Sequence, residues 1–305
     1  MIKIIFLFLI FAQIYYLSSS ANLTEKEKLD KAQKIVDKAN AKNKGKWIAK
    51  LHDRIAKLEK HSVMLGAKLK VPPLLPKKQI FAVNDQSSCG DCWAVSTASA
   101  LTDRYCISQV KKGNSAPLKT NPSVYFSALE LMSCTPGMWG CDGGLVTGTN
   151  YTWNSGCKPY PFPPHGTTQY TAPSCVSSCT SSAWNVAYTQ DKKYTKTTGY
   201  IQSNVAAIQN EIMANGSVVA AFDVYDDFMY YSSGVYQQTS DVYEGGHAVR
   251  MIGWGTETYP DGTHLDYWLC ANQWNYDWGM NEYFKIARGV DECGIESSEI
   301  SFGNF

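Results

Sequence analysis

The sequence predicts an α+β fold with two subdomains and a cleft between them, preceded by a small basic module. Three observations carry that prediction. Residues 92 to about 109 form a helix-compatible run, and residues 110–180 that follow are rich in Gly, Pro, Ser, Thr and Cys, which reads as a helical, loop-rich half. After residue 181 the texture changes to short apolar, β-branched and aromatic runs between Gly-bearing or polar turns. Helix followed by strand in this way gives α+β, and ligand sites collect in the clefts between such units. The charge divides as well. Residues 21–80 hold 16 Lys and Arg against 6 Asp and Glu, a net of +10, while residues 81–305 hold 11 against 21, a net of −10. The two parts attract each other, so the basic segment has an acidic partner in its own chain and no nucleic acid is expected.

Residues 1–20, MIKIIFLFLIFAQIYYLSSS, carry one lysine, an apolar run broken by Gln13, and then small polar residues. That pattern predicts a secretory signal peptide; an uncleaved anchor is the alternative, and no stable membrane span is expected after cleavage. Ten cysteines in a chain on the secretory route favour disulfides over metal sites. Sequons at Asn22, Asn150 and Asn215 are candidate glycosylation acceptors in that compartment. The expected destination is the lysosome or the cell exterior. Residues 21–78 form the amino-terminal module. Thr24-Glu25-Lys26-Glu27 matches a capping box and opens a Lys-rich, solvated helix to about Asn40. Trp47, Ile48, Leu51, Ile55 and Leu58 recur at helical spacing and predict a second helix with one face to bury. Val71-Pro72-Pro73-Leu74-Leu75-Pro76 then gives an extended linker. The main body runs from 79 to 305, with its halves meeting near 180, and strands are expected at 218–222, 248–252, 267–269 and 282–286.

The chemistry centres on QSSCGDCWAVS at 86–96. A Cys-x-x-Cys pair can shuttle electrons, hold zinc, or divide its labour between a disulfide and a nucleophile. The redox form sits in a small βαβ unit, which this sequence lacks. Zinc would need a second pair such as Cys175 and Cys179, against an oxidising compartment. In the divided reading Cys92 begins a helix, whose free N–H groups and dipole favour thiolate. Such a nucleophile needs a histidine. His52 and His61 fall in the basic module, while His165 and His264 lie among loop residues. That leaves His247, in Gly245-Gly246-His247-Ala248-Val249. Asn272 in Ala271-Asn272-Gln273-Trp274 supplies an amide to orient the imidazole, with Trp274 as a shield.

Gln86, Cys89-Gly90-Asp91-Cys92-Trp93, Gly246-His247-Ala248 and Asn272-x-Trp274-x-x-x-Trp278-Gly279 together resemble the papain family of cysteine proteases. Gly156-Cys157-Lys158-Pro159-Tyr160, Ser233-Gly234-Val235-Tyr236 and Cys293-Gly294-Ile295-Glu296-Ser297 are similar to its cathepsin B branch, over about residues 83–300. The resemblance implies a papain-like fold with a helical left domain, a β-barrel-like right domain and an active-site cleft between them. It also implies that residues 21–78 are an inhibitory propeptide. By the same resemblance Cys92 attacks the peptide carbonyl, His247 exchanges the proton, Asn272 orients it, and Gln86 with the Cys92 N–H forms the oxyanion hole. The implied disulfides are Cys89 with Cys141, Cys134 with Cys175, and Cys157 with Cys179. Gly143, Gly144 and Gly246 would meet substrate backbone, Trp274 would flank the primed side, and Ser298 stands where the branch carries an acid at the foot of its S2 pocket. Peptide or protein substrates, the chain's own propeptide and cystatin-like inhibitors are the implied partners. No cofactor and no metal is expected.

The sequence also departs from the pattern. Asp91 replaces a small residue before the nucleophile; a carboxylate there opposes thiolate formation and predicts an altered pH profile. The stretch before Gln86 is short and leaves Cys106 without its expected partner, while Cys270 and Cys293 read as free and buried thiols. Residues 161–174 are short and hold only His165 where the branch has paired histidines, which favours endopeptidase over carboxydipeptidase action. Protonation of carboxylates at low pH is expected to loosen the basic module. The alternative is a catalytically silent homologue that binds matrix or partner proteins, although all four catalytic positions are retained.

Overall fold

The computed structural model of the protein describes residues 24–52, 55–56, 85–115, 125–146, 151–152, 154–166, 168–298 and 300–305. The signal segment, the linker at 71–76, and the sequons at Asn22 and Asn150 lie outside the described residues. The capping box forms as the sequence predicts: Thr24 Oγ1 accepts the Glu27 N–H at 3.3 Å, and the Glu27 carboxylate accepts the Thr24 N–H at 2.7 Å. It opens α1 (Glu25–Lys42). This helix is not wholly solvated, because Ala32, Val36 and Ala39 share one face and are buried in the main core.

The second predicted helix is corrected at its start. Trp47–Ala49 is a strand, β1, and helix appears among the described residues only at 55–56. The pattern 47, 48, 51, 55 fits a helix, but β1 pairs antiparallel with β6 (Tyr231–Tyr236), and that pairing overrides the local periodicity. Trp47 is buried between Tyr231 and Tyr236, and its indole N–H donates to the Gln237 carbonyl at 3.0 Å. Gly234 has φ +87°, and a Cβ there would lie 2.4 Å from the Lys46 carbonyl oxygen, so only glycine admits the incoming segment.

The β-rich half is one eight-stranded sheet. Its further strands are β4 (Thr197–Ile201), β5 (Val218–Tyr225), β7 (Tyr243–Thr258), β8 (His264–Ala271), β9 (Tyr283–Ala287) and β10 (Ile300–Asn304). The order is β1-β6-β9-β8-β7-β5-β10-β4, so the expected barrel-like sheet stays open, with β1 and β4 at its edges. Tyr151–Thr152 and Lys193–Tyr194, β2 and β3, make a separate two-stranded ribbon. The core under the sheet is aromatic: Phe222, Phe228, Tyr231, Trp278 and Phe284 meet edge-on or tilted, apart from the stacked pair Phe228–Tyr231.

The helical half is built on α2 (Cys92–Lys111), with α3 (Ala128–Cys134) beside it. Three disulfides pin the loops around these helices: Cys89–Cys141, Cys134–Cys175 and Cys157–Cys179. The first closes a separation of 52 residues and is worth about 4 kcal/mol by loop entropy. Cys106, Cys270 and Cys293 are buried thiols. The far face of α2 ties the halves together. Arg104 donates to the carbonyls of Gly216, Ser217 and Gly303 and pairs with Glu211, while Asp103 accepts from Ser217 Oγ at 2.5 Å and from Arg250 at 3.2 Å.

Replacing Trp47 by Ala removes the anchor of β1 and should cost about 3 kcal/mol or more of stability in the docked segment. Limited proteolysis of the full chain reads this as faster cleavage within residues 24–56; an unchanged rate would show that Trp47 does not hold the segment.

Candidate active site

Residues from three stretches of the sequence are placed where α2 starts against β7. Cys92 is the first residue of α2 and fully buried, and its Sγ accepts the Ala248 N–H at 3.3 Å. Ala248 follows His247 on β7, so the sulfur lies beside the imidazole's own strand. His247 is held by pairing of β7 with Phe222 of β5, and its Nε2 donates to Asn272 Oδ1 at 2.6 Å. That bond places a proton on Nε2 and leaves Nδ1 without a hydrogen-bond partner among the described residues. Trp274 stacks on the imidazole with ring centroids 4.7 Å apart, and covers the His247–Asn272 bond from water. Trp274 is set in turn by Phe228 and Trp278, and the Trp278 indole donates to the Met229 carbonyl.

Gln86 precedes α2 and is fixed from both halves. Its N–H donates to the Gln273 carbonyl at 3.0 Å, while its Nε2 donates to the Cys89 carbonyl at 2.8 Å. The amide NH₂ keeps a second hydrogen for another acceptor. Gly143 and Gly144 follow the short turn Gly140–Asp142, which the Cys89–Cys141 disulfide, the bond from Gly90 N–H to the Cys141 carbonyl, and the bond from Trp93 Nε1 to the Gly140 carbonyl hold against α2. A Cβ at Gly144 would lie 2.5 Å from the Trp93 ring, so the glycine lets the backbone rest on the indole beside Cys92. Gly246 lies on β7 next to His247.

Burial drives the titration of the site toward neutral forms. Loss of water lowers the His247 pKa to about 4, against which the Asn272 bond acts only in part. The same effect pushes Asp91 up to about 8. At acid and neutral pH the Asp91 side chain is therefore uncharged, and the sequence-based expectation that its carboxylate opposes a nearby thiolate does not hold there. Glu282, whose carbonyl accepts the Asn272 N–H at 2.8 Å, is likewise raised by burial to about 8.

A family model described as papain family cysteine protease matches residues 75–302. The chain belongs to the papain family of cysteine proteases. Among curated relatives, cathepsin B-like cysteine proteinase 6 of Caenorhabditis elegans is 40% identical over 72% of this chain and 62% of its own length. Cathepsin B-like cysteine proteinase of Schistosoma japonicum is 41% identical over 73% of this chain and 68% of its own. The chain thus spans just under two thirds of the first of these relatives. Among solved structures, procathepsin B S9 from Trypanosoma congolense superposes with a TM-score of 0.69 at 30% identity, covering 89% of this chain and 97% of that one.

Within this family frame the structure brings Gln86, Cys92, His247, Asn272 and Trp274 together, with Gly143, Gly144 and Gly246 nearby. The three expected disulfides are the three observed. Ser298 is exposed in the bend before β10. Asn215 is half-buried and donates to Glu211 at 3.1 Å, and Ser217 of its sequon is buried on Asp103. Sequence reasoning missed a polar cluster: Asp85 accepts from the His165 N–H at 2.9 Å and from Asn275 Nδ2 at 2.6 Å, and the Asn275 amide meets His165 Nε2 at 2.7 Å. It also missed the bond from the Tyr160 hydroxyl to Asp91 Oδ1 at 2.9 Å, because nothing local in the sequence reveals a partner 69 positions away.

Since burial is the first cause of the low His247 pKa, Trp274→Ala, which uncovers the ring, should raise it from about 4 toward the ordinary value of about 6.5. Imidazole nitrogen NMR on the full chain measures the midpoint; an unmoved midpoint would assign the low value to other walls of the site.

Proposed function

We propose that the protein is a cysteine endopeptidase of the cathepsin B-like type, made as a zymogen. The observation that carries this reading is the Cys92 sulfur at a helix start, against the Ala248 N–H and beside the His247–Asn272 pair. In the proposed reaction Cys92 passes its proton to His247 Nδ1, and the thiolate adds to the peptide carbonyl carbon as the C=O electron pair moves onto oxygen. Gln86 Nε2 and the Cys92 N–H donate to that oxygen. His247 then gives its proton to the leaving nitrogen as the C–N bond breaks, and a thioester remains. Water, deprotonated by the same ring nitrogen, adds to the thioester and releases the acid and the thiol. Asn272 keeps the ring oriented throughout by accepting from Nε2–H. Gly143, Gly144 and Gly246 offer backbone to an extended substrate, Trp274 borders the leaving-group side, and Ser298 marks the S2 side. Cystatin-like proteins are the matching inhibitors, and the lysosome or cell exterior the matching location.

Endopeptidase action is favoured because the one histidine of residues 161–174, His165, is engaged with Asn275 and Asp85. That stretch carries no second histidine to hold a substrate's terminal carboxylate.

The segment carrying α1 and β1 fits the propeptide, and its release by acid follows from a histidine more than from carboxylates. Asp226, which faces Lys31, Lys34 and Lys38 of α1, is raised by burial, so its packed state is favoured as pH falls, the wrong sign for release. Asp261, paired with Lys46 at 2.7 Å, lies below the usual carboxylate range and persists through mild acid. His52 is buried, its Nε2 is 3.0 Å from the Tyr231 carbonyl oxygen, and burial lowers its pKa despite Asp277 nearby. A detached segment takes up a proton below about pH 6.5 that the docked ring resists, so docking weakens as pH falls through that range.

Two experiments test the proposal. Cys92→Ser should lower peptide hydrolysis by about 10³-fold or more, and a thiol-directed epoxide should be found by mass spectrometry on Cys92 of the acid-treated protein. Hydrolysis that survives the substitution would end the reading. His52→Gln, which keeps a donor for the Tyr231 carbonyl without titrating, should flatten the acid dependence of segment release followed on gels; a profile equal to wild type would remove His52 from the mechanism.

A further inference from the structure

Position 91 carries a carboxyl group immediately before the proposed nucleophile, and it is fully buried. Asp91 is the N-cap of α2, yet its side chain makes no capping bond. Its own backbone N–H acts on the carboxyl, and Oδ1 and Oδ2 lie 2.9 and 3.1 Å from the Tyr160 hydroxyl. The same hydroxyl is 2.9 Å from the Gln86 carbonyl oxygen. A phenol owns one hydrogen, and a carbonyl owns none. Were Asp91 a carboxylate, two acceptors would compete for that hydrogen, and one buried oxygen would lose its donor. As an acid, Asp91 donates to the Tyr160 oxygen, Tyr160 donates to the Gln86 carbonyl, and each link in the chain is satisfied.

We propose that Asp91 works as a neutral carboxylic acid that, through Tyr160, positions Gln86 beside the Cys92 sulfur. The inference rests on the reading of Gln86 as the oxyanion donor. The surroundings agree with it. Burial is the leading cause of the high Asp91 pKa, and no cation is among the causes acting on it. The groups that act on Tyr160 from the neighbouring elements are Asp91, Asp85 and Cys92, all of which oppose negative charge there. Lys158, two positions from Tyr160, is committed to Glu130 and to the Val176 carbonyl. Asp85 is occupied by the N–H groups of Ser87 and His165 and by Asn275. Asp91 is thus a positioning residue. Gln86 keeps its place while the acid is protonated and loses one of its supports once Asp91 ionises.

The test uses the full chain labelled with ¹³C at the aspartate carboxyl, with the Asp91 resonance identified by its loss in Asp91→Asn. It is joined to kcat/KM profiles on the same preparations after acid treatment. The Asp91 resonance should titrate near pH 8. It should titrate lower in Tyr160→Phe, because the protonated acid then loses the oxygen to which it donates. Asp91→Asn still offers a donor to Tyr160, so it should keep kcat/KM within about threefold at pH 6 and extend activity further into alkali than wild type. Tyr160→Phe should lower kcat about tenfold with little change in KM. An Asp91 resonance titrating in the ordinary carboxylate range, or an Asp91→Asn alkaline limb that coincides with wild type, overturns the proposal. Should Asp91→Asn not fold, the Tyr160→Phe shift decides. If no preparation hydrolyses peptides while Asp91 titrates near 8, the peptidase reading fails and the neutral acid stands.

Discussion

Everything at the site depends on the fixed seat of one helix. α2 is buried along most of its length and carries ionised side chains into the contact between the halves, where a charge is tolerated only when paired and fully hydrogen-bonded. Asp103 and Arg104 meet that condition by binding Ser217, Arg250, Glu211 and the carbonyls of Gly216 and Gly303, all in the β-rich half. The helix therefore cannot slide or rotate against the sheet without stranding a charge. Because Cys92 begins this helix and His247 lies on β7 of the sheet, the constraint that holds the halves also sets the sulfur against the imidazole's strand.

The closed site is a site of neutral groups. Removal of water raises Asp91 and Glu282 and lowers His247, three shifts with one cause. Burial thus favours the uncharged form of each of these three groups. The departure at position 91, which looks hostile to a thiolate in the sequence, is made compatible by the dryness of its surroundings.

What the sequence disclosed follows from what is local or strongly patterned. The capping box at Thr24 is complete within four residues, and the strands on 218–222 and 248–252 are runs that few other structures accommodate. The Cys92, His247 and Asn272 constellation was legible through its motifs, and the disulfide pairs through resemblance. Three kinds of feature were hidden. β1 was hidden because three residues with a distant partner leave no periodicity of their own, while the same apolar positions also fit a helix. β6 and β10 were hidden because their serines and glycines blur the alternation of a strand. The links of Tyr160 to Asp91 and of Asp85 to Asn275 were hidden because side chains far apart in the chain make them.

One consequence follows from the way β1 completes the sheet. Beyond that short strand, β6 has only β9 for a neighbour among the described residues, and its pairing with β9 is confined to Val235 and Tyr236. Detaching the segment would leave the 231–234 stretch as an unfinished border, its amides and carbonyls turned to solvent. Such borders invite any extended chain that fits, and here the bare backbone of Gly234 selects for a visitor able to approach without a bulky flank.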